Sequence, residues 1–333
     1  MELSIQESVP LAPLTTIQLG GEAQYFVRCR SREELREALV WANENRVRVH
    51  VLGGGSNTVF RDEGFEGLVI KIELRGIDWS KDGRVKIAAG EDWDPFVVQC
   101  VQKDWAGVEC MSGIPGLVGG TPIQNVAAYG QQVSTVIVEV RTLELESREE
   151  KVFQRAECKF GHRASRFKYE DAGKYIVTEV VFQLTPEGKP CLDYPQVREA
   201  LEKSEEVTLA DIRNTVLSLR KKKSMVLDAH DINTRSCGSF FENPLLEEIS
   251  GVADVVTFDE NGRTRVPSAW LIEQVGFPKG FRRGGVGISA NHNLALVNYG
   301  GTARELLSFA DEIVTAVRKN FGVVLKREPV VVD

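Results

Sequence analysis

Residues 47–57, VRVHVLGGGSN, place an apolar strand pattern directly before three glycines and two small polar residues. The preceding stretch, 31–45, has one apolar helical face, which consists of Leu35, Ala38, Leu39 and Ala42. Ser31 followed by Glu34 predicts a capping box at the start of that helix. Upstream, QYFVRCR at 24–30 is typical of a strand. The segment therefore predicts a strand, a helix and a second strand that ends in a loop, a common place for a nucleotide phosphate.

The LGGGSN segment at 52–57 has two interpretations. It is not the dinucleotide fingerprint, because Thr58 stands where the third glycine is required, and no GK[ST] follows as in a P-loop. It is either a tight turn at a strand end or part of a phosphate site. A second stretch, SGIPGLVGGTPIQNVAAYG at 112–130, is more informative because its glycines let the backbone approach a ligand closely. Two such loops predict a site in which both loops bind one ligand. This ligand would have a long phosphate linker and a flat ring.

The remaining patterns predict an α+β body up to about residue 205. From Thr208 the sequence pattern changes, which predicts a further domain. Strands are predicted at 67–72, 84–90, 134–145, 175–184, 294–300 and 323–333. Helices are predicted at 94–105, at 208–220 with Leu209, Ile212, Val216 and Leu219 inward, at 268–276 and from Thr302. In the last helix Thr302 and Glu305 form a capping box, and Gly322 ends it.

Composition and charge exclude several classes of protein. The 333 residues are 42% hydrophobic and 27% charged, as in an ordinary globular protein of about two domains. A net charge of −7 argues against broad nucleic-acid binding, which needs a basic face. No apolar run approaches the roughly 20 residues of a membrane span. The N-terminus has no basic start followed by a long apolar stretch, so we expect a cytoplasmic protein.

The six cysteines are scattered, with no CxxC pair and no histidines at metal-ligand spacing. This predicts a reduced protein without a structural metal. Among the charged segments, CKFGHRASRFKYE at 158–170 holds Arg163, a candidate planar fork for a carboxylate. We interpret His162 as a packed imidazole, and Arg166 with Lys168 as a solvated basic edge.

Two further loops carry polar groups with open roles. The RKKK run at 220–223 is typical of a solvated helix end, although one of its cations could reach a phosphate. SCGSFFENP at 236–244 sets Ser239 after a glycine and before two phenylalanines. Ser239 is either a turn residue that caps backbone groups or a proton donor.

The chain resembles the UDP-N-acetylenolpyruvoylglucosamine reductase family, the flavoproteins that make UDP-N-acetylmuramate for bacterial cell walls. The resemblance runs almost end to end, through LTTIQLGG, LGGGSN, IPGLVGGTPIQNVAAYG, FGHRASRFK, CGSFFENP, AWLIEQVG and LKREP. It implies an α+β fold with a two-lobed FAD-binding body of the vanillyl-alcohol oxidase type and a third α+β substrate-binding domain. The implied division is lobe 1 at 1–73, joined by a C-terminal strand at 324–333, lobe 2 at 74–207 and the substrate domain at 208–323.

The resemblance also implies cofactors, a substrate and site residues. The FAD site would be lined by Gly53, Gly54, Gly55, Ser56, Asn57, Gly116, Gly119, Thr121, Gln124, Asn125, Ala128, Tyr129 and Gly130. Arg163, Ser239 and Glu328 would be catalytic, and Tyr194, Lys223 and Asn243 would bind UDP-N-acetylglucosamine enolpyruvate, with NADPH as reductant. The tyrosine segment resembles the longer type of the family, in which a mobile loop closes over the diphosphate. We expect a monomer.

Two departures and two rival functions accompany the resemblance. His162 stands where the family usually has tyrosine, and KREP at 326–329 differs from other members, so that Glu328 is either the catalytic acid or a surface charge. A flavin-dependent sugar alcohol oxidase of the same fold would not need the serine loop. A non-catalytic nucleotide-sugar binding protein would not need the glycine loops.

Overall fold

The computed structural model describes residues 3–246, 258–260 and 263–333. Its α-helices are α1 (Arg32–Glu44), α2 (Trp93–Gln102), α3 (Thr121–Gln124), α4 (Pro195–Leu201), α5 (Leu209–Lys221), α6 (Ser268–Gln274) and α7 (Ala303–Phe321). Its strands are β1 (Gln6–Pro10), β2 (Glu22–Cys29), β3 (Val49–Leu52), β4 (Thr58–Phe60), β5 (Phe65–Ile72), β6 (Ile77–Trp79), β7 (Arg84–Ala88), β8 (Trp105–Ala106), β9 (Ala127–Ala128), β10 (Gln131–Gln132), β11 (Ile137–Glu144), β12 (Glu150–Gln154), β13 (Tyr175–Gln183), β14 (Thr185–Pro186), β15 (Leu245–Leu246), β16 (Phe258–Glu260), β17 (Arg263–Arg265), β18 (Arg282–Arg283), β19 (Val286–Ile288), β20 (Leu296–Asn298) and β21 (Val330–Val332).

The described residues divide into two compact units. Unit 1 comprises Met1–Glu7, Tyr25–Gly54 and Glu66–Lys221, and unit 2 comprises Ser8–Gln24, Gly55–Phe65 and Lys222–Asp333. Each unit has its own apolar core. The predicted division into two FAD lobes and a substrate domain stays a prediction.

Unit 1 is built on an antiparallel sheet with the strand order β12-β11-β13-β7-β6. Helix α2 packs beside it, and the rings of Phe96 and Phe182 stack with centroids 5.6 Å apart. In the same unit β5 lies between β2 and β3, and β3 pairs with β5 in parallel, Val49 opposite Leu68. This parallel pairing directs the end of β3, at Leu52, straight into the first glycine loop.

The predicted apolar face of helix α1 is confirmed. The capping box predicted at the start of this helix is only half formed. Leu35, Ala38, Leu39 and Ala42 are buried in the core of unit 1. The Ser31 hydroxyl accepts a hydrogen bond from the Glu34 N–H at 3.1 Å. The Glu34 carboxylate, however, accepts from the N–H of Arg30, one residue earlier than a capping box requires. The extended backbone of Ser31 leaves the N–H of Arg30 within reach of that carboxylate.

Unit 2 packs α6, α7 and the antiparallel sheet β18-β19-β20 around an aromatic core. Helix α7 has the predicted Thr302–Glu305 capping box, and Gly322 ends it with φ +70°. The predicted closing strand is shorter than 323–333. Strand β21 pairs in parallel with β4, and Arg327 makes an isolated antiparallel bridge with Phe241. Pro329 lies between the two pairings and has no N–H to give to a ladder.

Candidate active site

The two glycine loops that the sequence singled out meet within unit 1. A Cβ atom built on Gly54 would lie 2.6 Å from the Cα atom of Gly116, so only glycine lets the two backbones touch. A Cβ atom on Gly119 would lie 2.6 Å from that of Ala89, and the Gly119 N–H donates to the Ala89 carbonyl at 2.9 Å. The 112–130 stretch is therefore held against both the first loop and the end of β7.

The contact between these loops suits a phosphate-linked cofactor such as FAD. A Cβ atom on Gly53 would meet no protein atom within 4 Å, so the backbone of this residue stays approachable while Gly54 is packed. The Lys71 ammonium donates to the Gly53 carbonyl, which places a cation beside the loop. Burial lowers the pKa of Lys71. Sequence reasoning missed Lys71, which lies at the end of β5 and looks like an ordinary strand residue.

The residues from Thr121 to Gly130 brace the loop with their side chains. The Thr121 hydroxyl donates to the Val118 carbonyl at 2.8 Å. The buried Asn125 amide donates to the Gly161 carbonyl at 2.7 Å and accepts from the Ser134 N–H at 3.2 Å. The backbone N–H groups of Thr121 and Asn125 also donate within the protein, to the Val118 and Thr121 carbonyls, so these two residues shape the loop.

Arg163 contacts the same stretch from the neighbouring loop. Its guanidinium donates to the Ala127 carbonyl at 3.2 Å, and its backbone has a φ of +50°, which is uncommon for a residue with a side chain. The Lys168 ammonium donates to the Arg163 carbonyl at 3.0 Å. The candidate catalytic arginine is thus held beside Ala127 and Ala128, in the predicted FAD stretch.

Three interpretations of this loop were wrong. Arg166 is not a solvated edge, because its guanidinium pairs with Asp171 at 2.6 Å and lies over the Phe153 ring at 4.4 Å. Lys168 is not solvated either, because it is engaged by the Arg163 carbonyl. His162 is exposed rather than packed. Local sequence could not show that Arg166 is covered, because the Phe153 ring comes from another part of the chain, strand β12.

Tyr194 lies against the C-terminal end of the same stretch. The rings of Tyr129 and Tyr194 meet edge to face with centroids 5.0 Å apart. A Cβ atom on Gly130 would lie 3.2 Å from that of Asp193. Burial raises the pKa of Tyr129. Tyr129 and Gly130 both have positive φ, so the turn presents the Tyr129 ring towards the Tyr194 segment.

Helix α5 contributes charged groups that the sequence did not assign. Arg213 makes two hydrogen bonds to the Asp94 carboxylate, at 2.7 and 2.8 Å, and the same carboxylate accepts from the Gly113 N–H at 2.6 Å. Arg220 is buried and donates to the Gly113 carbonyl at 3.2 Å. The solvated helix end predicted for 220–223 is therefore wrong for Arg220, whereas Lys221 and Lys222 are exposed and Lys223 is half-buried.

In unit 2, Gly55 and Asn57 are part of the packing of the unit itself. Gly55 has φ +67°, and a Cβ atom there would lie 2.1 Å from the Leu14 carbonyl oxygen. The Asn57 amide donates to the Glu328 carbonyl at 3.3 Å. The interpretation of LGGGSN as a tight turn thus describes Gly55, while Gly53 and Gly54 belong to the paired loops of unit 1. Ser56, between them, is half-buried.

The segments that carry Ser239 and Glu328 are joined by a backbone hydrogen bond in unit 2. The Glu328 N–H donates to the carbonyl of Phe240, the residue after Ser239, at 2.9 Å. The Phe240 N–H in turn donates to the Leu294 carbonyl at 2.7 Å. Gly238 supplies the bend with φ +71°, and Phe240 and Phe241 are buried in the core of unit 2. The buried phenylalanines therefore fix the loop.

Asn243 follows the serine loop in the same unit. Its amide oxygen accepts from the Ser268 N–H at 2.9 Å, at the start of α6. The predicted site residues thus form two groups. Unit 1 holds Gly53, Gly54, Gly116, Gly119, Thr121, Gln124, Asn125, Ala128, Tyr129, Gly130, Arg163 and Tyr194, and unit 2 holds Gly55, Ser56, Asn57, Lys223, Ser239, Asn243 and Glu328.

Two family models match the chain. The model of the FAD binding domain matches residues 23–146. The model of the C-terminal domain of UDP-N-acetylenolpyruvoylglucosamine reductase matches residues 230–332. The first match covers both glycine loops, and the second covers Ser239, Asn243 and Glu328.

Relatives match over nearly the whole length. The UDP-N-acetylenolpyruvoylglucosamine reductase of Thermobifida fusca (strain YX) is 42% identical, covering 100% of this chain and 99% of that protein. The enzyme of the same name from Flavobacterium johnsoniae is 36% identical, covering 98% and 99%. The crystal structure of UDP-N-acetylenolpyruvylglucosamine reductase from Thermus caldophilus has a TM-score of 0.70 at 24% identity and covers 100% of both chains. The predicted α+β class is confirmed.

Proposed function

The chain belongs to the UDP-N-acetylenolpyruvoylglucosamine reductase family, and from this membership we propose how its own residues carry the reaction. The protein is an FAD-containing oxidoreductase that reduces UDP-N-acetylglucosamine enolpyruvate in the synthesis of peptidoglycan precursors. We infer that NADPH is the reductant and that UDP-N-acetylmuramate is the product.

The glycine loops would hold the cofactor. When bound, FAD supplies hydride transfer from NADPH to the terminal alkene carbon of the substrate. The backbones of Gly53, Gly54 and Gly116 offer close approach, and Lys71 adds a positive charge beside them. We assign the cofactor to residues 1–73 with 324–333 and to 74–207, and the nucleotide sugar to 208–323.

Arg163 and Glu328 would stabilise the charge that develops on the substrate. Hydride addition to the alkene pushes electrons into the carboxylate, so negative charge accumulates there in the transition state. A guanidinium held in a fixed position, as that of Arg163 is by the Ala127 carbonyl, can meet that charge without reorganisation. A protonated Glu328 would donate a hydrogen bond to the same group.

Ser239 would donate the proton that completes the reduction. The carbon next to the carboxylate is enolate-like and basic enough to take a proton from a hydroxyl. The observation that carries this proposal is the 2.9 Å hydrogen bond from the Glu328 N–H to the Phe240 carbonyl, which holds Glu328 next to Ser239. The segments that carry the proposed proton donor and the proposed charge-stabilising acid are thereby hydrogen-bonded to each other.

Tyr194, Lys223 and Asn243 would bind the nucleotide sugar. A phenol and an ammonium suit the diphosphate, as hydrogen-bond donor and as counter-charge. Tyr194→Phe removes only the hydroxyl, so the Michaelis constant for the UDP-sugar is expected to rise more than turnover falls. Steady-state kinetics at varied concentrations of the UDP-sugar check this. An unchanged Michaelis constant would contradict the assignment of Tyr194 to binding.

An anaerobic titration tests the reaction as a whole. NADPH is added to the purified protein under nitrogen, followed by UDP-N-acetylglucosamine enolpyruvate, while the visible spectrum is recorded. The flavin band is expected to bleach with NADPH and to recover with the enolpyruvate. Bleaching without recovery would favour a flavin enzyme with another substrate, such as a sugar alcohol oxidase. A protein that binds the UDP-sugar but takes up no FAD would be the non-catalytic binder.

We also propose that the enzyme works as a monomer in the cytoplasm. Among the described residues no helix is long and apolar enough to cross a membrane. Gel filtration with light scattering is expected to give the chain mass of 37.0 kDa. A mass of about twice that value would contradict the monomer.

A further inference from the structure

Cys110 and Cys191 lie against each other in unit 1, although 81 positions separate them in the chain. The Cys110 thiol donates to the Cys191 carbonyl at 3.7 Å. Both are free cysteines, so the two thiols that a disulfide would join already lie in one part of the unit.

The two thiols differ in access. Cys110 is fully buried in a small apolar cluster with Val197, Ile212 and Val216. Cys191 is partly exposed at the edge of that cluster. A reagent can therefore reach Cys191 first, and Cys110 lies behind it as the resolving thiol.

Cys191 begins the short segment that leads to Tyr194, and this segment is anchored at the same turn. Residues 188–193 have no regular secondary structure. The Cys191 N–H donates to the carboxylate of the buried Glu109 at 3.1 Å, and Glu109 also accepts from the Gly107 N–H at 2.8 Å. Leu192 and Tyr194 pack on the same cluster as the two cysteines. The Glu109–Met111 turn thus sets where the segment starts.

We propose that Cys110 and Cys191 form a reversible disulfide that fastens the Tyr194 segment to the Glu109–Met111 turn. In this arrangement Tyr194 rests against Tyr129. To reach a bound nucleotide sugar, the Tyr194 segment must leave this position. The Cys110–Cys191 disulfide would prevent that movement. The effect on substrate rests on the proposed function of Tyr194, whereas the covalent site stands independently of it.

The chemistry is a thiol–disulfide exchange with a small-molecule disulfide RSSR as oxidant. The Cys191 thiolate attacks RSSR, which forms a Cys191–S–S–R mixed disulfide and releases one RSH. The Cys110 thiolate then attacks the Cys191 sulfur, which forms the Cys110–Cys191 bond and releases a second RSH. The protein loses two electrons and two protons, and RSSR becomes two RSH. Burial raises the pKa of Cys191 and of Cys110, so the exchange is expected to be slow.

The test uses the FAD-loaded enzyme incubated with oxidised glutathione and then quenched with an alkylating agent. The number of cysteines alkylated in denaturant, counted by mass spectrometry, is expected to fall from the six of the chain by two. Peptide mapping is expected to find Cys110 linked to Cys191. Cys191→Ser should abolish the linked peptide, and Cys158→Ser, which alters another buried cysteine, should leave it unchanged. Absence of the linked peptide from the wild-type enzyme overturns the proposal.

Calorimetric titration with the UDP-sugar, without reductant, measures the consequence for binding. Oxidation is expected to raise the dissociation constant about tenfold or more, because the binding-competent arrangement becomes rare, and dithiothreitol should reverse the change. If the disulfide forms and affinity is unaltered while Tyr194→Phe weakens binding, the locking role is overturned. If neither oxidation nor Tyr194→Phe alters affinity, the proposed role of Tyr194 fails and the covalent site stands.

Discussion

At the scale of single residues, the backbone does most of the positioning in this protein. Ser239 is placed by the bend at Gly238 and by the hydrogen bonds of Phe240 to two other segments. Arg163 has a positive φ in a turn closed by two hydrogen bonds between Gly161 and Ala164, and the Lys168 ammonium donates to its carbonyl. The Ser239 hydroxyl and the Arg163 guanidinium are common functional groups, and their proposed roles depend on where the backbone places them.

Ser239→Ala is expected to lower turnover roughly 10²–10⁴-fold, because the variant lacks the proposed proton donor. Stopped-flow absorbance separates the two half-reactions. Bleaching of the flavin by NADPH should keep its rate, and recovery with the enolpyruvate should slow. Ser236→Ala is the control, because the Ser236 hydroxyl accepts from the Gly238 N–H at 3.3 Å and has no proposed role in the chemistry. Normal recovery in Ser239→Ala would remove Ser239 from the chemistry.

Gly53→Ala and Gly54→Ala separate the packing of the loops from cofactor binding. The Cβ of Gly54→Ala meets the Gly116 backbone, so this variant is expected to lose stability by about 1–3 kcal/mol. The Cβ of Gly53→Ala meets no protein atom within 4 Å, so its cofactor-free form should unfold like the wild type. Its affinity for FAD should fall nonetheless. Thermal unfolding without FAD and a fluorescence titration with FAD measure the two effects, and unchanged FAD affinity in Gly53→Ala would contradict the placement.

At the scale of elements, α5 is tied to the second glycine stretch by charge. The Asp94 carboxylate joins Arg213 of α5 to the N–H of Gly113, and Arg220 adds a bond to the Gly113 carbonyl. The apolar periodicity of 208–220 correctly predicts the buried Leu209, Ile212 and Val216. It could not predict the buried Arg220, because its partner lies 107 positions away.

Asp94→Asn is expected to lower stability by about 1–3 kcal/mol near pH 7, as for a lost hydrogen bond to a charged group. Burial tends to raise the pKa of Asp94, but the bonds from Arg213 and Gly113 outweigh it and hold the pKa below its ordinary value. The stabilisation is therefore fully present above the unfolded pKa of about 3.9 and is lost as pH falls through the lower folded value.

Thermal unfolding of wild type and Asp94→Asn at pH 7 and in acid checks this sign. The difference between their midpoints should be largest at pH 7 and should shrink below the folded pKa of Asp94. Asp92→Asn is the matched control, because Asp92 is exposed and pairs with the exposed Arg75, which is worth about 0–1 kcal/mol. A difference that persists unchanged in acid would mean that the ion pair is not its cause.

At the scale of the whole molecule, the chain forms two units with separate cores, and predicted site residues occur in both. A ligand that binds only the folded state stabilises it by mass action, whatever its exact contacts. The stability of the protein should therefore depend on its cofactor.

Removal of FAD is expected to lower the unfolding midpoint by several degrees. Restoring FAD at a hundred times its dissociation constant should stabilise the fold by about 2.7 kcal/mol. Differential scanning fluorimetry of stripped and reconstituted protein measures the shift. FMN, which lacks the adenylate half, is the ligand control and should give a smaller shift. Equal midpoints with and without saturating FAD would show that the stripped fold does not bind it.

The sequence by itself determined the elements and the residue types of the site. Periodicity located α1, α5, α7 and the strand before the first glycine loop, and motif order along the chain indicated the family. Such features depend on neighbouring residues, whose spacing along a helix or a strand is set by the backbone. Tertiary structure alone decided which groups meet. The contacts of Gly54 with Gly116, Asp94 with Arg213 and Cys110 with Cys191 join residues far apart in sequence, and no local pattern records which distant side chain fills a given space.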